Sequence, residues 1–141
     1  NKISPIDKFS PLYNESRNIK IVQDAMYAST NEVRGTSYKS RIDDPKYQFA
    51  GKTGTAQVKK ITKRDRELDL KTFEIPYEER DHALYVAYGP YKNPRYAVSV
   101  IVEHGGNGST TAAPMAKKLF KLIIDRGELR KKQPNFKKID I

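Results

Sequence analysis

Between residues 18 and 33 the apolar side chains Ile19, Val22 and Met26 recur at helical spacing, with Ile21, Ala25 and Ala28 alongside. The pattern predicts an amphipathic helix, capped by Ser16 or Asn18 and ended by Gly35. Residues 41–46, with Asp43-Asp44-Pro45, read as a loop, because the residue before a proline avoids the helical region. A strand is predicted over residues 47–61. Residues 59–81 are dominated by charge and predict a long connection with one helical turn opening at Pro76. Two more strands follow at 82–88 and 96–103, joined by the turn-rich Gly89-Pro90-Tyr91-Lys92-Asn93-Pro94. The second alternates Tyr96, Val98, Val100 and Val102 with Ala97, Ser99 and Ile101, apolar on both faces, as expected of an inner strand covered on two sides. A last helix is predicted over 111–126, with Pro114 in its first turn, Gly127 at its end and Met115, Leu119, Leu122 and Ile123 as its buried stripe. The fold class is therefore α+β: a three-stranded antiparallel sheet with flanking N- and C-terminal helices. Residues 1–17 read as an irregular lead-in and 128–141 as a basic tail.

Composition narrows this picture. The chain has 141 residues, enough for one ordinary domain, yet only 37% are hydrophobic, and the mean hydropathy of −0.77 is low for a self-contained globule. A modest core that needs a partner surface is expected. The net charge of +10 admits polyanions as partners. No nucleic-acid motif accompanies it, so a solvated basic surface is the expectation and no nucleic-acid partner is expected. A basic module holding anionic wall polymer through the residues between Lys117 and Lys138 is the alternative from the binding class. There are no cysteines, hence no disulfides and no thiolate metal sites. The first residue is Asn1, which suggests a piece of something longer.

Several short motifs fail on context. Gly51-Lys52-Thr53 has no glycine at position 46 and leads into a strand, where a phosphate-binding loop needs a helix. His104-Gly105-Gly106 resembles an esterase oxyanion segment, but no Gly-x-Ser-x-Gly exists to supply a nucleophile. It reads instead as a glycine-rich turn between the last strand and the last helix. Asp81 and His82 are neighbours on a strand and so point to opposite faces; His82 reads as a packed or hydrogen-bonded residue. Two histidines without acid spacing predict no metal site, and no cofactor is expected.

Lys52-Thr53-Gly54-Thr55 survives. In a strand, Thr53 and Thr55 share one face, so both hydroxyls reach the same ligand carboxylate. Gly54 lets a ligand lie against the backbone. The Thr55 N–H is placed to stabilise a developing oxyanion, and Lys52 adds a positive charge able to assist proton transfer.

The wider context is specific. Asp24-Ala25-Met26-Tyr27, Phe49-Ala50-Gly51-Lys52-Thr53-Gly54-Thr55-Ala56-Gln57-Val58, Asp81-His82-Ala83-Leu84-Tyr85-Val86-Ala87-Tyr88-Gly89-Pro90 and the stretch from Asn93-Pro94 to Val102-Glu103-His104-Gly105-Gly106 follow one another in order. Together they resemble the C-terminal part of class B penicillin-binding proteins, in particular their elongation-type members. The resemblance implies that residues 18–127 are the C-terminal portion of a transpeptidase domain, an incomplete penicillin-binding/β-lactamase-like transpeptidase fold. It implies a serine D,D-transpeptidase that crosslinks peptidoglycan stem peptides, binds β-lactams and works on the periplasmic face of the bacterial inner membrane. In that scheme Lys52 and Thr55 are catalytic, and Thr53, Gly54 and Thr55 bind substrate. The family's Ser-x-x-Lys nucleophile is missing: none of the eight serines has lysine three residues on. Ser29-Thr30-Asn31 matches the second family motif, Ser-x-Asn, but in a helix just before the key strand, so the match is read as accidental. The chain alone is therefore expected to be inactive and to need the missing N-terminal part of the domain. Without that part the strand from Tyr96 to Glu103 is expected to keep a bare edge and to self-associate.

Overall fold

A computed structural model describes residues 15–60, 63–68 and 70–132. The N-terminal lead-in up to residue 14, the end of the first predicted strand at Ile61 and the tail from 133 lie outside the described residues. Helix α1 (Ser16–Asn31) leads to strand β1 (Ala50–Ala56), followed by the short helix α2 (Lys63–Leu68), strands β2 (His82–Gly89) and β3 (Tyr96–Val102), and helix α3 (Ala113–Lys132). The strands form one antiparallel sheet in the order β1-β2-β3. Register is set by Thr53 opposite Tyr85 and Tyr85 opposite Val100.

One face of the sheet is buried. Ala83, Tyr85 and Ala87 of β2 and Val100 of β3 lie there against Phe49, Ala112, Ala113, Ala116, Phe120 and Ile124. The other face, with Val86 48% and Ile101 65% exposed, is open. β3 is thus an edge strand with one covered face, not the doubly covered inner strand its apolar run suggested. An all-apolar strand cannot declare from sequence which of its faces meets a helix.

The buried side of α3 also differs from the expected stripe. Met115, Leu119 and Leu122 are exposed, and Ile123 is half-buried. Ala113, Ala116, Phe120 and Ile124 go inward instead. Tyr85 and the adjoining Phe49 already supply large side chains on this face. Small residues on the helix let the two surfaces close, and Phe120 stacks on Phe49 with ring centroids 4.9 Å apart. For the same reason Gly127 does not end the helix. It sits inside α3, where a Cβ would come within 2.5 Å of the Tyr96 hydroxyl.

α1 docks by its polar end. Thr30 is its one fully buried residue, while Ile19, Ile21 and Val22 stay exposed, contrary to the amphipathic reading. The reason is that the helix meets the edge of a strand, and an edge demands hydrogen-bonding partners rather than apolar cover. Thr30 Oγ1 accepts from Gly51 N at 3.0 Å and donates toward Gly51 O at 3.3 Å. Asn31 Nδ2 donates to Phe49 O at 2.9 Å.

β1 is shorter than predicted, beginning only after the turn at residues 44–47 and ending at Ala56. After Ala56 the chain leaves the sheet and rejoins it at His82. The neck of this excursion is closed by Val58 N donating to Asp81 Oδ1 at 3.2 Å and by Lys59 paired with Glu79 at 2.6 Å. The turn expected at Pro76 is present as a 3-10 turn, Tyr77–Glu79. Residues 103–107 form the expected turn into the last helix, which opens with a π-helical turn, Gly108–Ala112. Asn107 Oδ1 caps that turn by accepting from Ser109 N at 2.8 Å. His82 Nδ1 accepts the His104 N–H at 2.9 Å, so His82 braces this turn.

Candidate active-site wall

Hydrogen bonding along an antiparallel strand alternates, so every second residue turns its N–H and C=O away from its neighbour strand. Both main-chain groups of Gly51 bond Thr30 on α1, so Gly51 faces away from β2. The unbroken register gives Thr53 and Thr55 the same parity. Their N–H and C=O groups therefore line the outer edge of β1. The Gly51 groups are capped by Thr30, and the Thr53 carbonyl accepts from Lys52 Nζ at 2.7 Å. Among the described residues nothing occupies the Thr55 N–H, and the Thr55 side chain is exposed.

Lys52 and Gly54 fall on the open face of the sheet, and Thr53 and Thr55 on the other. Lys52 bends across the edge, so its ammonium also stands 3.4 Å from Thr53 Oγ1. The structure thus gathers Lys52, Thr53 and Thr55 at one edge, although strand alternation alone separates the lysine from the hydroxyls. A groove of about 500 Å³ runs from Lys52 along α1, lined by Val22, Ala25, Met26, Ser29 and Thr36. That volume suits a small-molecule or peptide end.

The two motif glycines differ. A Cβ on Gly51 would lie 2.4 Å from the Tyr85 hydroxyl. The Tyr85 ring passes beneath this gap to bond Thr30 Oγ1 at 2.9 Å and Ser37 Oγ at 3.0 Å. Burial raises the Tyr85 phenol above its ordinary pKa, and the bonds with Ser37 and Thr30 oppose that shift. Gly51 is therefore fixed by packing. A Cβ on Gly54 would approach only the Leu84 Cβ, at 3.3 Å, a tight contact that Leu84 could relieve by giving a few tenths of an ångström, so Gly54 is the less strictly fixed of the two.

Ser29-Thr30-Asn31 is committed to architecture at its second and third positions, since Thr30 and Asn31 hold α1 on β1. Ser29 lines the groove. Thr36, which belongs to none of the sequence motifs, stands 3.4 Å from Thr53 Oγ1 and 3.1 Å from Ser29 Oγ. No local pattern marks it; the turn after α1 folds it back onto the strand.

Residues 12–121 match the profile of the penicillin binding protein transpeptidase domain. The peptidoglycan D,D-transpeptidase MrdA of Salmonella typhimurium is 40% identical over 105 residues, which cover 74% of this chain and 16% of that protein. The MrdA protein of Acinetobacter baumannii is 43% identical over 79 residues, covering 56% of this chain and 11% of its own. Among solved structures, the complex between penicillin-binding protein PBP2 and MreC from Helicobacter pylori matches with a TM-score of 0.63 and 30% identity, over 87% of this chain and 21% of that one. Pseudomonas aeruginosa PBP2 in complex with WCK 5153 matches with a TM-score of 0.62 and 32% identity, over 84% and 23%. The chain thus spans about a sixth of the curated relatives it matches. These likenesses, over most of the chain and with one overall fold, show that the chain belongs to the penicillin-binding protein transpeptidase domain family, of whose PBP2 members it corresponds to the C-terminal part.

Proposed function

We propose that this segment forms one wall of the active site of a peptidoglycan D,D-transpeptidase. The observation that carries the reading is the outer edge of β1, where Thr55 N–H, without a partner among the described residues, shares the edge with the Thr53 and Thr55 hydroxyls and the Lys52 ammonium. In the reaction a serine hydroxyl adds to the penultimate carbonyl of a D-Ala-D-Ala stem peptide. The terminal D-Ala leaves as an amine, and a neighbouring peptide's amine then takes the acyl group. Thr53 and Thr55 hold the terminal carboxylate, with Lys52 adding its charge. Thr55 N–H supplies half of the oxyanion hole, where a preorganised donor acts on charge that develops only in the transition state. β-Lactams present the same carboxylate beside a strained carbonyl and occupy the same wall. Such an enzyme works on the periplasmic face of the bacterial inner membrane. Among the described residues no helix is long and apolar enough to cross a membrane.

The chain contains no Ser-x-x-Lys, so the nucleophile and its base come from elsewhere. The 141-residue chain alone should form no covalent adduct with a fluorescent penicillin, whereas a polypeptide that also carries the serine lobe should. Intact-mass analysis decides it. A penicilloyl increment on any serine of the isolated chain would overturn this assignment.

The missing lobe also bears on β3. By the same parity, Ala97, Ser99 and Ile101 turn their N–H and C=O groups outward from the sheet, while Val98 and Val100 face β2. No proline or charged residue interrupts this edge, and in the isolated chain it pairs with a second copy. At low micromolar concentration the three outward amides should exchange rapidly with solvent. At high concentration they should gain protection as the sedimentation coefficient rises, while Val98 and Val100 stay protected throughout. A strict monomer with all five amides protected would mean that another part of the chain already covers the edge.

A further inference from the structure

A hydroxyl carries one proton and two lone pairs, so binding a carboxylate requires Thr53 to aim its single proton at the ligand and to accept from its other neighbours. Those neighbours are Lys52 Nζ, at 3.4 Å from Thr53 Oγ1, and Thr36 Oγ1, also at 3.4 Å. The lysine only donates. Thr36 can point either way, because its oxygen also lies 3.1 Å from Ser29 Oγ. If Thr36 gives its proton to Ser29, Thr53 is free to spend its own on Thr36. If Ser29 gives its proton to Thr36, then Thr36 donates to Thr53, and the Thr53 proton faces outward. An anion at the edge selects the second arrangement, since each donor in such a chain strengthens the next.

The geometry that sets this chain does not depend on the hydroxyls themselves. Ser37, next to Thr36, is buried, and both its N–H and its hydroxyl donate to the Ser29 carbonyl at 3.0 Å. The same Ser37 hydroxyl stands 3.0 Å from the Tyr85 phenol, inside the core. Ser29 and Thr36 are thus clamped together by main chain and core, and their side chains meet at the mouth of the groove that begins at Lys52.

We infer that Thr36, fed by Ser29, is a positioning residue that directs the Thr53 hydroxyl proton toward the ligand carboxylate. The inference rests on reading the β1 edge as the carboxylate-binding wall. At 3.4 Å the Thr36–Thr53 contact is weak at rest, and the relay requires it to tighten when an anion takes the Thr53 proton. The effect belongs to binding rather than to bond making, because the relay acts on a ligand group remote from the carbonyl under attack.

The test uses the full-length protein carrying this segment, with benzylpenicillin as the probe. The concentration dependence of acylation separates the dissociation constant of the non-covalent complex from the limiting acylation rate. Thr36→Val keeps the side-chain shape and removes the hydroxyl. It should raise the dissociation constant about three- to tenfold, the size of one neutral hydrogen bond, and leave the limiting rate within about twofold. Thr36→Ser should restore wild-type binding, and Ser29→Ala should act in the same direction as Thr36→Val. Combining Thr36→Val with Thr53→Val should add nothing to Thr53→Val alone, because the relay ends at Thr53. Wild-type binding by Thr36→Val, a serine variant as weak as the valine one, or a loss confined to the limiting rate would each overturn the relay. Thr53→Val tells this failure from the larger one. If Thr53→Val binds like wild type, the carboxylate wall itself is misassigned; if it weakens binding while Thr36→Val does not, only the relay falls. Thr36 is exposed, so its variants should keep the melting temperature, and Ser29→Ala probes the same relay if one of them does not.

Discussion

In the complete enzyme, Thr55→Pro should acylate about 100- to 1000-fold more slowly than Thr55→Ala, the loss expected for one oxyanion-hole donor, about 2.7–4 kcal/mol. Alanine removes only the hydroxyl, a contact to a carboxylate of about 1.5–3 kcal/mol, felt mainly as weaker binding. Proline removes the hydroxyl and the N–H together. The structure makes the comparison cleaner than a proline in a strand usually allows. Thr55 N–H points out of the sheet, so proline there breaks no ladder bond to β2 and meets a condition under which strands tolerate it. The residue before it is Gly54, already extended in β1. Circular dichroism should first establish that both variants fold. Equal limiting acylation rates for the two folded variants would remove Thr55 N–H from the oxyanion hole.

The second large effect concerns stability. Phe120→Ala should destabilise the chain by about 3–5 kcal/mol, the usual loss for a fully buried aromatic side chain. Phe120 has no solvent exposure, lies flat against Phe49 and fills the space left by Gly89, where a Cβ would sit 3.0 Å from its ring. A domain's whole stability is about 5–15 kcal/mol, so the variant should be partly unfolded near body temperature. Leu122→Ala removes a side chain that is 67% exposed and should change stability by about 0.5 kcal/mol or less. Urea unfolding of both variants checks the pair. The reverse order would mean that α3 turns its other side to the sheet, the side its larger apolar residues favour.

That contrast shows where sequence reading stops. Turn residues and period-2 alternation are local, so three strands, their order and the glycine-rich turn before α3 were legible. Which stripe of α3 goes inward was not. It depends on the volume the sheet already fills, and the alanines at 113 and 116 carry little hydrophobic signal. α1 misled for a related reason: its apolar residues Ile19 and Val22 promise a buried face, yet Thr30 and Asn31 make the contact, because a strand edge calls for polar partners. At the site, alternation correctly paired Thr53 with Thr55. It could not say which strand edge was free, which follows only from pairing with β2. Gly51 and Gly54 look alike in the motif, and only the ring beneath Gly51 separates them. Thr36 reaches Thr53 through a fold-back of 17 positions in sequence, a separation for which periodicity carries no information.

The excursion between β1 and β2 is clasped at its neck by Val58 to Asp81 and Lys59 to Glu79. The two strands therefore keep their registration whatever the loop beyond the clasp contains, because lengthening a closed loop costs only slowly more entropy. Its side chains at Leu68, Leu70 and Phe73 already face solvent. A change of length here should therefore leave the β1 edge in place. For an experimenter, the stretch around Lys63–Leu68 is a natural insertion point for a reporter or an affinity handle.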